Sequence, residues 1–352
     1  MKRILLLGVG GNVSQGILKA IRNSELDIYV VGACVSEYSS GLYLCDEAVI
    51  SPFANSNDFI PWVIDICNKK NIDMIMTGVE ENIIVLSKNI NVIKNNTKAI
   101  FISSSLDQLK IGQDKLQTCK WLKNNGCNYP LFCSLSDANA CIELVDKVGY
   151  PLIAKPNNGK SASGIRIVND KADLEEIIGE DEYVLEECLP ENTGEYTVGC
   201  YCDKNGNAKD IIIMQRRLKK GTTVYAKVIR NKLIEQEARK IVDKYKPIGP
   251  LNIQMRFNKH GEPVCFELNV RFSGSTAMRT NFGYKDVKAM IKEYLYNEAI
   301  DDCFSVIEGE CFRYDNEFFL FNDSVEQMKR TKQVINKTNT IYFDDNLKKR
   351  NN

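Results

Sequence analysis

Strand-like apolar runs alternate with segments of helical spacing through the first hundred residues. Residues 2–8 are apolar and strand-like, "GVGGNVSQG" turns, and "ILKAIRNSE" sets its apolar residues at helical spacing. "DIYVVGACV" and "DEAVISP" read as strands, "NDFIPWVIDICNKKN" as a helix and "IDMIMTGV" as a strand. "EENIIVLSKNINVIKNN" reads as a helix and "KAIFISSS" as a further strand. Such alternation predicts an open parallel sheet with crossover helices over about residues 1–111.

The pattern then changes. "DQLKIGQDKLQTCKWLKNNG" is helical, "YPLIAKPNNGKSASGIRIV" reads as strand, glycine-rich turn and strand, "KADLEEIIG" as a helix and "EYVLEECL" as a strand. "EYTVGCYCD" and "AKDIIIMQRRL" form an expected antiparallel pair, followed by the strand "VYAKVI" and a helix, "NKLIEQEARKIVDKY", capped by Asn231. "LNIQMRFNKHGEPVCFELNV" is an expected hairpin. Beyond about Asn297 the signal weakens to one strand, "CFRYDNEFFLF", and a polar tail, "DDNLKKRNN", that is expected to fray.

Alternation inside the hairpin divides its chemistry. Residues two apart in a strand share a face. Glu267, Asn269 and Arg271 therefore point one way, and Phe266, Leu268, Val270 and Phe272 point toward a core. On the first strand Asn252, Gln254 and Arg256 alternate with Leu251, Ile253, Met255 and Phe257, and a loop at Lys259–Glu262 sets Gln254 across from Glu267. Two amide oxygens and one carboxylate suit magnesium only if a polyphosphate completes the six hard oxygens that the ion prefers. Arg271 would neutralise a transferring phosphate. The same alternation also describes a hairpin with one solvated face.

Other segments carry weaker signals. Lys155 ends an apolar strand, where a charge needs a partner, and the small residues that follow could bring backbone N–H groups to phosphate oxygens. There is no GxxxxGK[ST] loop, so a flexible lid is the better description, beside the alternative of an ordinary polar turn. Lys115 lies on a helix, where lysine is usually solvated. Glu186 and Glu187 sit on a strand that leaves through Pro190, where the backbone could meet an adenine edge, and Glu195 could accept two ribose hydroxyls; each acid is equally an ordinary surface charge.

Composition narrows the field. Basic and acidic residues balance at 46 each, which leaves no footprint for nucleic acid. Thirteen cysteines include no CxxC pair and many lie in apolar runs, so they read as small core residues in a reducing, cytoplasmic setting. His260 is the only histidine, which disfavours a histidine-based zinc site. No signal peptide is visible and no run approaches membrane-span length. At 352 residues, two or three domains are expected.

The order of these pieces resembles the ATP-grasp superfamily: a lysine helix, a lysine strand with a small-residue lid, an acidic strand, then Gln and Glu-x-Asn-x-Arg. It looks closest to the single synthetase units of the carbamoyl-phosphate synthetase large subunit and their short stand-alone relatives, over roughly residues 1–297. The resemblance implies a mixed α/β and α+β fold: a Rossmann-like N-terminal parallel-sheet domain (1–111), a lid with its connecting helix (112–185), a central antiparallel-sheet domain with the metal site (186–300) and a C-terminal extension (301–352). By that resemblance Lys115 and Lys155 bind ATP, with Lys160, Ser161, Ser163 and Gly164 in the phosphate-covering loop. Glu186, Glu187 and Leu189 flank the adenine, and Glu195 holds the ribose. Gln254, Glu267 and Asn269 bind magnesium, two ions or manganese in their place, and Arg271 meets the phosphates. Many superfamily members carry an acid where Gln254 stands; the carbamoyl-phosphate branch carries Gln.

The implied chemistry is phosphoryl transfer from ATP to a carboxylate, followed by attack of an amine to form an amide. Arg216, Ser273, Gly274 and Arg279 are the expected acceptor contacts, Arg279 and Lys155 also serving catalysis beside Arg271; a solvated basic loop is the other reading of Arg216. The alternatives are a carboxylate or carbamate kinase and an inactive ATP-binding sensor. Small-molecule acid and amine substrates are expected, with no nucleic acid or membrane partner, and a homodimer is the default. The turn "LLGVGGNVSQG" misses the dinucleotide-binding spacing, because position 13 is Val and the next glycine is Gly16.

Overall fold

The computed structural model describes residues 1–159, 163–315, 317–320, 323–336 and 340–342. Lys160 and Ser161 of the expected lid, and the tail expected to fray, lie outside the described residues. The chain divides into two units: Met1–Ser103 with Phe272–Ser305 and Phe312–Asn352, and Ser104–Arg271 with Val306–Cys311.

The first unit begins with β1 (Lys2–Leu7), α1 (Asn12–Asn23), β2 (Ile28–Cys34), β3 (Glu47–Ile50), α2 (Phe59–Lys69), β4 (Met74–Thr77), α3 (Glu80–Lys88), α4 (Ile90–Asn96) and β5 (Ile100–Phe101). β1 pairs in parallel with β2 and β4, as the alternation of strands and helices requires. Its residues Ile4, Leu5 and Leu6 are wholly buried, because a central parallel strand is covered on both faces. The expected single helix over 80–96 is two, α3 and α4, meeting at Asn89. The glycine turn is fastened into the fold. Ser14 Oγ donates to Leu7 O at 2.8 Å and accepts from Gly78 N at 2.9 Å. Gly41 admits the turn, since a Cβ there would stand 1.9 Å from Val9 O.

The second unit opens with α5 (Leu106–Gln113) and α6 (Lys115–Asn124). One helix was expected here; Asp114 breaks it by capping α6, its carboxylate accepting from Gln117 N at 2.9 Å. Next come β6 (Phe132–Ser134), α7 (Ala138–Val148), β7 (Leu152–Pro156), β8 (Arg166–Val168), α8 (Lys171–Ile177) and β9 (Tyr183–Glu187). The strands form an antiparallel sheet in the order β6-β9-β7-β8 over a core that includes Leu135, Leu144, Leu152 and Leu185.

A larger antiparallel sheet follows, from β10 (Glu195–Cys202), β11 (Ala208–Lys219), β12 (Thr222–Ile229), β13 (Gly249–Phe257) and β14 (Pro263–Asn269). Between β12 and β13 runs α9 (Lys232–Tyr245), whose first turn is capped by Asn231. Ile234, Ala238, Ile241, Val242 and Tyr245 recur on one face of α9 and pack with Val198, Ile253 and Leu268 from one face of the sheet. The opposite face carries the polar alternates.

The chain returns to the first unit with α10 (Thr276–Asn281) and α11 (Asp286–Ile291). The expected strand over 311–321 is two short ones, β15 (Glu310–Phe312), which completes the order β14-β13-β10-β11-β12-β15, and β16 (Phe318–Leu320). Finally α12 (Ser324–Thr331) leads to β17 (Gln333–Ile335), which pairs antiparallel with β3 at the edge of the N-terminal sheet, and to β18 (Thr340–Tyr342), which pairs with β16. Among the described residues no helix is long and apolar enough to cross a membrane.

Candidate functional site

The hairpin β13–β14 sets Gln254 directly across from Glu267 and Asn252 across from Asn269. Immediately beyond Gln254 the register shifts, so that Met255 pairs with Cys265 and Phe266 is the extra residue. This corrects the expected orientation of Phe266. Cys265 takes the core position, and the Phe266 ring lies beneath Lys155, 5.2 Å from Nζ to centroid.

The polar face is a connected network. Asn269 Nδ2 donates to Glu267 Oε1 at 2.9 Å, which leaves Asn269 Oδ1 and the second carboxylate oxygen of Glu267 as hard donors. Glu195, on β10, stands opposite Arg216, on β11. Its Oε1 accepts from Arg216 Nε at 2.9 Å and from Nη2 at 2.7 Å, and its Oε2 accepts from Arg256 Nη2 at 2.8 Å. Burial raises the Glu195 carboxyl pKa, but the two guanidiniums outweigh it and hold the group below its ordinary value. Arg216 also donates to Gln254 Oε1 at 2.6 Å. The guanidinium expected to clamp an acceptor carboxylate is therefore engaged by Glu195 and Gln254.

Lys155, at the end of β7, finds the partner that its burial demands. Its Nζ donates to Glu186 Oε2 at 2.6 Å, with side chains 11% and 1% exposed. Burial lowers the lysine pKa, yet Glu186, with smaller contributions from Cys119 and Glu267, raises it above the ordinary value. Glu186 thus acts through its side chain, where a backbone contact at its strand was expected. Cys119 Sγ lies 3.8 Å from Glu186 Oε1, and burial with that neighbour keeps the thiol protonated.

Lys115 starts α6, and its ammonium donates to Gly159 O at 3.0 Å, at the entry to the expected lid. Ser163 and Gly164, beyond residues 160–162, are exposed; Gly164 has φ +73° and sits close against Pro156. Glu187 is tied to the chain at Leu131: its carboxylate accepts from Leu131 N at 2.9 Å, and its own N–H donates to Leu131 O at 2.8 Å. Leu189 is buried at the end of this crossing. Arg271 follows β14, its N–H donating to Asn269 O at 2.8 Å.

The remaining acceptor candidates belong to the other unit. Ser273 Oγ and Ser275 Oγ are hydrogen-bonded at 2.8 Å. Gly274 O accepts from Arg313 at 2.6 Å. Arg279 is wholly buried and ion-paired with Asp286 at 2.7 Å. Its guanidinium anchors the start of α11, where an acceptor contact was expected.

Two participants escaped sequence reasoning. Arg256 was legible as a member of the polar face, two residues from Gln254, but not its bond to Glu195 on β10. Phe266 gave no signal, because a bulge inverts the alternation from which orientation is read.

Among the described residues no three His, Cys, Asp or Glu side chains cluster as a self-sufficient metal centre. The donors here are hard oxygens and too few to fill an octahedral shell. That set fits a magnesium ion that takes its other ligands from phosphates and water.

Residues 180–308 match the family profile described as ATP-grasp in the biosynthetic pathway with Ter operon, and residues 4–100 match the PylC-like N-terminal domain. The carbamoyl phosphate synthase large chain of Sulfurisphaera tokodaii is 23% identical over 211 residues, which is 56% of this chain and 20% of that one. The chain thus spans about a fifth of the length of the first curated relatives that it matches. Among solved structures, biotin carboxylase from Campylobacter jejuni, in a β,γ-ATP complex, superposes with a TM-score of 0.68 at 19% identity, covering 88% of this chain and 74% of that one. An L-amino acid ligase from Bacillus licheniformis superposes with a TM-score of 0.67 at 17% identity, covering 94% and 85%.

Proposed function

With an ATP-grasp domain following a PylC-like N-terminal domain in this chain, we propose that it activates a carboxylate with ATP and joins it to an amine. The observation that carries this reading is the sheet face on which Glu267 and Asn269 stand beside Gln254 and Arg216, with Lys155 buried in the same unit against Glu186. Hard oxygens and fixed cations on one surface are what a nucleoside triphosphate with its metal needs, and the fold shared with an L-amino acid ligase supports a carboxylate–amine outcome.

In this mechanism the acceptor's carboxylate oxygen attacks the γ-phosphorus of ATP. The bond to the β-phosphate oxygen breaks, ADP leaves, and an acyl phosphate remains. The amine then attacks the acyl carbon, phosphate departs and the nitrogen loses a proton. Glu267 and Asn269, joined by Gln254 once its oxygen turns from Arg216, would hold magnesium, which would supply charge neutralisation along the phosphates. Lys155 contributes a fixed positive charge, kept protonated by Glu186. Lys115 and the turn around Gly164 bracket the phosphate-covering segment, Glu195 receives the ribose, and Arg271 steadies the transferring group.

ADP release from ATP and magnesium, measured over amino acids and small carboxylates with and without amines, tests the reading. ADP and amide formed in equal amounts, only when acid and amine are both present, is the expected result. Release with bicarbonate alone would replace the ligase by a carbamate kinase. Nucleotide binding with no turnover on any pair would replace it by a sensor.

A further inference from the structure

Resting on that reading, we propose that Arg216 is a positioning residue that couples ribose recognition to metal binding. One guanidinium bridges the two acceptors that the nucleotide and its metal require. Arg216 Nε and Nη2 lie 2.9 and 2.7 Å from Glu195 Oε1, and Nη2 lies 2.6 Å from Gln254 Oε1. The Arg216 and Glu195 side chains are 10% and 13% exposed, so little water is at hand to replace either bond. Glu195 Oε2 is occupied as well, by Arg256 at 2.8 Å. A carboxylate accepts about four hydrogen bonds and Glu195 already accepts three, so a pair of ribose hydroxyls exceeds its capacity, and a hydroxyl that meets Oε1, which already holds two, must displace an Arg216 N–H.

Gln254 faces the same constraint. An amide oxygen that accepts from a guanidinium sits against a positive charge, which disfavours a second cation on that oxygen. Gln254 binds a cation more readily once Arg216 lets go. Whichever ligand dismantles the bridge first spares the other that step, so ribose and magnesium bind with positive coupling. Arg216 Nη1 also lies 3.4 Å from Thr223 Oγ1, a further acceptor beside the guanidinium.

Calorimetric titrations of the full chain with ADP and with 2′,3′-dideoxy-ADP, over a series of free magnesium concentrations, test the coupling. The two probes chelate magnesium through the same diphosphate, so chelation in solution cancels. The wild-type chain is expected to need at least threefold more free magnesium for half-maximal binding of the dideoxy nucleotide. Arg216→Lys keeps the charge but has no fork to hold two oxygens at once, and it should erase the difference. Gln254→Leu should erase it as well, which guards against a folding defect in the lysine variant. Equal magnesium dependence in the wild type overturns the inference while leaving the nucleotide reading intact, and so does a difference that survives in either variant. Failure of both nucleotides to bind overturns the two together.

Discussion

Lys155 and Glu186 form a buried ion pair, Nζ to Oε2 at 2.6 Å, that joins neighbouring strands β7 and β9. Charges in such a place are held only in company, because water that would otherwise solvate them is excluded. The pair gives the unit a fixed cation at the end of a strand.

Removing one member strands the other. Glu186→Ala should destabilise the protein by about 3–5 kcal/mol, read from denaturant unfolding. The pKa of Lys155 is raised in the folded state, so its contribution is complete below the ordinary lysine value and disappears as pH climbs through the raised one. The wild type should lose this stability only on the alkaline side, and the variant should lack that alkaline step. An alanine variant as stable as the wild type at neutral pH would refute the prediction.

Glu195 should govern the acid side. Its pKa is depressed by Arg216 and Arg256, so its contribution is present above the ordinary glutamate range and fades as pH falls. Stability of the wild type should start to drop as pH falls through the ordinary glutamate range and go on dropping until the depressed pKa is passed, and Glu195→Gln should flatten that slope while lowering stability at neutral pH. Parallel curves for the two proteins would contradict the assignment.

Glu267 is the single carboxylate of the proposed magnesium face. Glu267→Gln keeps the hydrogen bond to Asn269 within reach but removes the charge. It should cut ADP release by about 10²–10³-fold with an unchanged circular dichroism spectrum. Activity within a factor of about three of wild type would remove Glu267 from the chemistry.

Arg279 and Asp286 test whether burial or charge holds the first unit together. Burial raises the Asp286 pKa, partly offset by Arg279. Asp286→Ala alone should destabilise by about 3–5 kcal/mol, whereas Arg279→Met with Asp286→Leu should recover most of that loss. Equal losses in the single and paired variants would mean that the site cannot repack around an apolar pair.

Much of the fold could be read from periodicity because burial enforces it. The parallel sheet around Ile4–Leu6, the capped helix after Asn231 and the pairing of Gln254 with Glu267 follow from local spacing and one hairpin loop. What escaped depended on neighbours remote in sequence. Arg216 reaches Gln254 across strand β10, which no spacing along the chain reports. Arg279 read as an acceptor contact because its partner, Asp286, is an acid in a different helix. Asp114 was hidden inside an apparently continuous helical stretch, its capping role visible only once the chain turned.

The extra residue at Phe266 gives the β13–β14 ribbon two independently phased halves. The tip at Asn258–Glu262 lies outside the paired residues, so a change of length there need not move them, whereas one residue gained or lost after Phe266 rotates Glu267 and Asn269 into the oily interior. A loop graft for engineering therefore belongs at the tip, and the four residues from Phe266 to Asn269 must be transplanted as a block.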